Sequence, residues 1–195
     1  MKIIVLMKQV PDTETKVQVK PGETTISTEG VTYVINPYDE FAIEEALKIK
    51  DAKGEGEVAL VSLGWDKAAE ALRTGLAMGA DKAVHLNDPA FLGGDACSVA
   101  VALSKALKKM EYDLILCGKQ AIDYDNHQVG VRVAELLEIP HVAVVTKLEL
   151  QDGKAAAHRE VEGGTEVIET PLPAVITCQK GLNEPRYASL KGIMK

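Results

Sequence analysis

The stretch GKQAIDYDNHQVG (118–130) crowds polar side chains immediately ahead of a helical pattern. Backbone N–H groups without helical partners, and the positive end of the helix dipole, favour an anion at such a junction, above all a phosphate. Gly118 at its start would let a ligand approach the backbone closely. The same residues also read as an Asp-rich capped loop that only joins a strand to a helix, and on their own they leave both readings open. Other chemistry is harder to place. No GxGxxG follows the first strand pattern and no GxxxxGK[ST] is present, so neither a dinucleotide fingerprint nor a P-loop is available. His85, His141 and His158 fall on or beside strand patterns, and only His127 lies in a ligand loop, as a polar loop residue or adenine neighbour. No His/Cys/Asp spacing suggests a metal, and no nucleophile–base pair is apparent. The chain reads as a holder of a nucleotide with no catalytic residue.

The elements that must position this loop alternate. IIVLM (3–7) is a short apolar run, as a strand buried on both faces would be. A long loop follows to Asn36-Pro37, with turns at Gly22 and Gly30. YDEFAIEEALKIKDAKG then reads as an amphipathic helix with Asp39 and Glu40 in its first turn and Gly54 at its end. EVALVSLG (57–64), DKAVHLN (81–87) and YDLILCG (112–118) are further strands, separated by helices ending near Gly79 and starting at the cap Asp95. A last helix closes before Pro140. This is the pattern of a doubly wound, mainly parallel, Rossmann-like α/β sheet with right-handed crossovers. From His141 onward, turns at Asp152-Gly153 and Gly163-Gly164 predict antiparallel hairpins, a small extension to that sheet that ends in AVITC. Ligands of such sheets bind beyond the carboxyl ends of the strands. The loops 8–13, 36–39, 62–65 and 118–130 are therefore the ones that matter.

At 195 residues the chain suits one domain, or one domain plus an appendage. Aromatics are 4%, so the core must be aliphatic, and a net charge of −7 argues against nucleic acid or an anionic membrane as a partner. Cys97, Cys117 and Cys178 form no CxxC pair and are expected to be buried, reduced thiols of a cytoplasmic protein. The apolar start is too short for a signal peptide or a membrane span. Only the end breaks the acidic trend: from Lys180 onward Lys180, Arg186, Lys191 and Lys195 face a single acid, Glu184, a segment of about +3.

KQVPD (8–12), INPYDEFAIEEAL (35–47), GLAMGAD (75–81), GKQAIDYDNHQVG, REVEGG (159–164) and LNEPRYASLKGIMK (182–195) together resemble the β subunit of electron transfer flavoprotein, in order and over the whole chain. The resemblance implies an αβ heterodimer that carries electrons from acyl-CoA dehydrogenases, or similar flavin dehydrogenases, to a quinone-reducing partner. The α subunit would hold most of one FAD. The β subunit would contact that FAD and bind either a structural AMP or, in electron-bifurcating members with NADH as donor, a second FAD. By motif, the nucleotide would be lined by Leu6, Asn36, Pro37, Tyr38, Asp39, Leu63, Gly118, Lys119, Gln120, Ala121, Ile122, Asp123, Tyr124, Asp125, Asn126, His127, Gln128 and Val129, and Glu160 would support the flavin at the subunit boundary. Where AMP-type members read Asn-Gln-Thr-Gly, this chain has His127 and Val129, and valine cannot donate the threonine hydrogen bond. That leaves AMP and FAD both open, with AMP favoured. A stand-alone adenine-nucleotide-binding signalling module on the same scaffold is the reading of another class.

The resemblance also divides the chain into a nucleotide-binding domain, 1–178, and a partner-recognition loop, 179–195. In it Glu184, Pro185, Arg186, Tyr187, Leu190, Ile193 and Met194 are the partner-binding candidates, with Leu190 as apolar anchor inside a charged rim. Family members continue from there in an arm that wraps the α subunit, so the remainder of that arm is expected to be missing from this sequence.

Overall fold

The computed structural model describes residues 1–91 and 93–189. Strand β1 (Lys2–Leu6) alternates Ile3 and Val5 on one face with Ile4 and Leu6 on the other, and all four are buried. This two-sided burial is why the run is continuously apolar. It pairs in parallel with β4 (Glu57–Leu63) on one side and β6 (Leu114–Gly118) on the other. Adding β5 (Lys82–Leu86), β7 (His141–Gln151), β8 (Lys154–Val161), β9 (Gly164–Pro171) and β10 (Val175–Cys178) gives the order β5-β4-β1-β6-β10-β7-β8-β9. Helices α1 (Pro37–Lys53) and α2 (Ala68–Met78) cover one face, and α3 (Ala96–Leu107) and α4 (Val129–Leu137) the other. The chain leaves β1 toward β4 and later returns to the opposite side at β6. The switch point therefore falls between the carboxyl ends of β1 and β6.

The doubly wound sheet is as the pattern predicts, and Asp95 caps α3 by accepting from Ser98 N at 2.8 Å. Three details differ. The stretch after residue 140 is not simply an antiparallel extension: β10 inserts between β6 and β7, parallel to both. Its four residues are buried and so need sheet neighbours on both sides. β7 is parallel to β10 in its first half and antiparallel to β8 in its second. It changes partners beside Val144, at φ 63°, an uncommon setting for a β-branched residue. Second, the long loop after β1 contains a two-stranded sheet of β2 (Gln9–Pro11) and β3 (Tyr33–Ile35). Third, Cys97 is exposed near the start of α3, whereas Cys117 and Cys178 are buried free thiols.

Gly75 marks where α2 meets the sheet. A Cβ there would lie 2.4 Å from Leu60 Cδ1, so the fully buried Leu60 side chain would have to shift to admit it. Gly75→Ala is expected to destabilise the fold by about 1–3 kcal/mol, the usual effect of overpacking a filled core, despite alanine's better helix propensity. Urea unfolding would record a lower midpoint at unchanged slope, and an unchanged or raised midpoint would contradict the packing.

Candidate functional site at the carboxyl edge of the sheet

At the switch point the N-terminus of α1 ties two loops together. Asn36 precedes Pro37 and makes no side-chain cap to its own helix. Its amide reaches across instead: Nδ2 donates to the Gln120 carbonyl at 2.8 Å, and Oδ1 accepts from Ile122 N at 3.2 Å. One turn on, the Asp39 carboxylate accepts from Lys8 N and from Gly118 N, both at 2.8 Å. The Asn36 N–H donates to the Lys8 carbonyl at 2.9 Å. Asn36 is 1% and Asp39 5% exposed, so each bond satisfies a group that water does not reach. Burial pushes the Asp39 carboxyl up to about 7, while the Lys8 and Gly118 N–H groups, the Asn36 side chain and the Lys8 charge pull it down without overcoming burial.

Beyond this clasp the loop is built from its own residues. Lys119 N donates to the Cys178 carbonyl at 2.9 Å, which anchors the loop to β10. Lys119 Nζ lies 5.0 Å from the centre of the Tyr38 ring, and Lys8 Nζ 4.5 Å from that of Tyr124, both cation–π geometry. Lys8 Nζ also pairs with Asp123 at 2.5 Å. Gln120 Nε2 bonds Asp125, while its Oε1 is buried and has no hydrogen-bond partner among the described residues. Asp125 N donates to the Ala121 carbonyl at 2.9 Å, and Asp125 and His127 take positive φ of 49° and 54°. Gln128 N donates to Asn126 Oδ1, and Gln128 Oε1 accepts from Arg132 Nε and Nη2 at 3.1 and 2.9 Å. α4 then starts at Val129 without a side-chain cap, so its first-turn N–H groups keep no side-chain acceptor. Residues 123–128 are exposed.

The residues expected at a nucleotide fall into three groups. Asn36 to Asp39 and Gly118 to Val129 are brought together around the clasp. Leu63 is half-buried at the end of β4, but Leu6 is 4% exposed and belongs to the core. Glu160 is exposed on β8, opposite Thr165, and is separated from β6 by β10 and β7. Gly118 is also constrained within the chain: a Cβ there would meet Tyr38 Cβ and Asp39 Oδ1 at 2.6 Å. Its small size admits the N-terminus of α1. Cavities of about 390 Å³ (lined by residues of 12–32) and about 380 Å³ (lined by Met1, Tyr112, Leu172 and others) lie away from the loop. Residues 118–130 line neither of them.

The structure describes the appended segment through Ser189. Glu184 is exposed, Pro185 half-buried and Tyr187 exposed, while Arg186 bonds Glu44 and Asp51 of α1. Leu190, Ile193 and Met194 lie outside the described residues. The charge of Arg186 is thus already matched within the chain. Sequence reasoning missed Glu44 and Glu45, which are buried on a helix read as simply amphipathic. The available signal was two acids set between the apolar pairs Ala42-Ile43 and Ala46-Leu47.

Comparison with known proteins decides the family. The electron transfer flavoprotein domain matches residues 23–195. The chain is 49% identical over 193 residues to the electron transfer flavoprotein subunit beta of Thermoanaerobacterium thermosaccharolyticum, covering 99% of this chain and 74% of that one. It is 47% identical to the Bacillus subtilis subunit beta, covering 100% and 75%. The chain belongs to the electron transfer flavoprotein β-subunit family. The Caffeyl-CoA reductase-Etf complex subunit CarD of Acetobacterium woodii is 46% identical over 195 residues, covering 100% of this chain and 74% of that one. An electron transfer flavoprotein β subunit serves as an electron carrier, not an enzyme, and membership implies association with flavin and with an α subunit. Among the described residues no helix is long and apolar enough to cross a membrane.

Asp39 predicts a pH dependence. Its carboxyl titrates near 7 in the folded chain and near 3.8 unfolded, so the folded state binds the extra proton between those values. Stability from this group is therefore highest below about pH 4, declines as pH rises toward 7, and is flat above. Asp39→Asn is expected to remove this slope. Denaturant midpoints measured from pH 4 to 8 should fall less steeply in the variant, and parallel profiles would show that Asp39 does not titrate in this range.

Proposed function

We propose that residues 1–178 hold the adenylate of a nucleotide against the 118–128 loop, and that residues 179–195 recognise an electron-donating partner. The nucleotide is a structural AMP, and the chain also braces the FAD held mainly by an α subunit. Electrons arrive from an acyl-CoA dehydrogenase or a related flavin dehydrogenase and leave to a quinone-reducing acceptor. FAD, when bound, supplies the redox chemistry. This chain's own residues position and shield. The cytoplasmic setting expected from the free thiols belongs to the same reading.

One observation carries the nucleotide assignment. Asn36 and Asp39 clasp the loop at the switch point, directly ahead of a helix whose first turn has no side-chain cap. Its N–H groups suit a phosphate. Gln120 Oε1, buried without a donor, suits an amino or hydroxyl group of the ligand. The relative named as part of a caffeyl-CoA reductase complex supports a partner that acts on CoA thioesters.

Val129 supports a second reading, an FAD in this site of an electron-bifurcating member, because no hydroxyl is present there to bond a terminal phosphate. Denaturing the purified αβ pair and quantifying the released adenylates separates the two. One AMP and one FAD per pair are expected. Two FAD without AMP would favour the second reading, and release of FAD alone at one per pair would refute the nucleotide site of this chain.

A further inference from the structure

Residues 182–189 have no regular secondary structure. A segment of that kind beyond a last strand has no ladder to hold it. Here it is held by α1. Arg186 donates from its backbone N–H (3.1 Å) and Nε (2.8 Å) to Glu44 Oε2, and from Nη2 to Glu44 Oε1 (3.1 Å) and Asp51 Oδ2 (3.0 Å). Glu44 and Asp51 are two helical turns apart on one face, so a single guanidinium spans both. Asn183 Nδ2 donates to Glu45 Oε2 at 2.9 Å and to the Phe41 carbonyl at 3.0 Å. Leu182 is buried and Ala188 packs against the same core. Ser189 donates its N–H (3.0 Å) and its hydroxyl (3.3 Å) to the carbonyl of Ala77, in the last turn of α2.

Between these fixed points Tyr187 is 97% exposed. Its main chain is immobilised on both sides while its ring touches almost nothing. An aromatic ring so presented loses little conformational freedom when a second surface covers it, which is how interface anchors gain affinity. Glu44, 5% exposed, is the centre of the arrangement. A carboxylate so deep requires a charged partner, and the bidentate guanidinium supplies it.

We propose that Glu44 is a positioning residue for partner docking: acting through Arg186, and assisted by Asp51, it holds the 182–189 strap so that Tyr187 projects into an apolar pocket of the donor flavin dehydrogenase. This rests on the reading of residues 179–195 as the partner-recognition segment. Because α1 takes the guanidinium, the partner meets the phenol ring of Tyr187 instead of the charge of Arg186.

The test uses the complete αβ flavoprotein as electron acceptor for an acyl-CoA dehydrogenase, with rate measured against carrier concentration. Glu44→Gln is expected to raise the KM for the carrier about tenfold, less than the full effect of breaking one partner of a buried charge pair because only the placement of Tyr187 is lost, with kcat and bound nucleotide unchanged. Arg186→Lys keeps the charge but loses the fork, and should raise KM less. Tyr187→Ala should raise KM as Glu44→Gln does. A wild-type KM for Glu44→Gln beside a raised KM for Tyr187→Ala overturns the positioning role while leaving the segment's reading intact. Wild-type KM in both overturns the proposal together with that reading. Should Glu44→Gln fail to fold, Asp51→Asn removes only the outer half of the clip. A KM raised about two- to threefold, the scale of a partly exposed pair, supports the proposal, and no change overturns it.

Discussion

The arrangement at the carboxyl edge depends on a buried polar clasp. Asn36 and Asp39, one turn apart at the start of α1, accept from or donate to the backbone of Lys8, Gly118, Gln120 and Ile122. The strands β1 and β6 end side by side, and their following chains separate there. Each leaves backbone groups without sheet partners at that point. The clasp satisfies those groups from a third element and so ties the two loops together. Burial makes this exacting, since an unmet donor or acceptor in such a place costs about 1–3 kcal/mol. The absence of a side chain at Gly118 is part of the same requirement, because the N-terminus of α1 occupies that space.

α1 thereby serves two surfaces. Its first turn orders the loop ahead of α4, and its middle turns receive the strap that follows β10. Both contacts use carboxyl or amide groups at buried or half-buried positions of a helix that otherwise packs through Ala42, Ile43, Ala46 and Leu47. A helix with acids this deep would be unsatisfied in isolation. The strap supplies Arg186 and Asn183 to them, so the end of the described chain completes the fold as well as offering a surface.

This changes the electrostatic account of the segment. By sequence it is a basic tail on an acidic protein, suited to steering toward an acidic partner. In the structure Arg186 is neutralised within the chain. What is displayed between Leu182 and Ser189 is an aromatic ring flanked by the exposed acid Glu184.

The alternation of buried strands and helices, the cap at Asp95 and the hairpins after residue 150 were all legible in the sequence, because each follows from local periodicity and turn chemistry. The order of motifs along the chain was enough to indicate the family. The place of β10 between β6 and β7 was not legible, since a four-residue apolar run is compatible with any interior position in a sheet. The reason for Gly118, the core position of Leu6 and the burial of Glu44 and Glu45 were hidden for one common reason. Each is decided by which distant residue fills the adjacent space, across about 80 residues for Gly118 and Asp39 and about 140 for Arg186 and Glu44. Sequence determined the elements and the chemistry available at their ends. Tertiary packing alone decided which of those groups are spent on holding the fold and which remain for a partner, because hydrogen bonds and ion pairs over such separations exist only once the layers have come together.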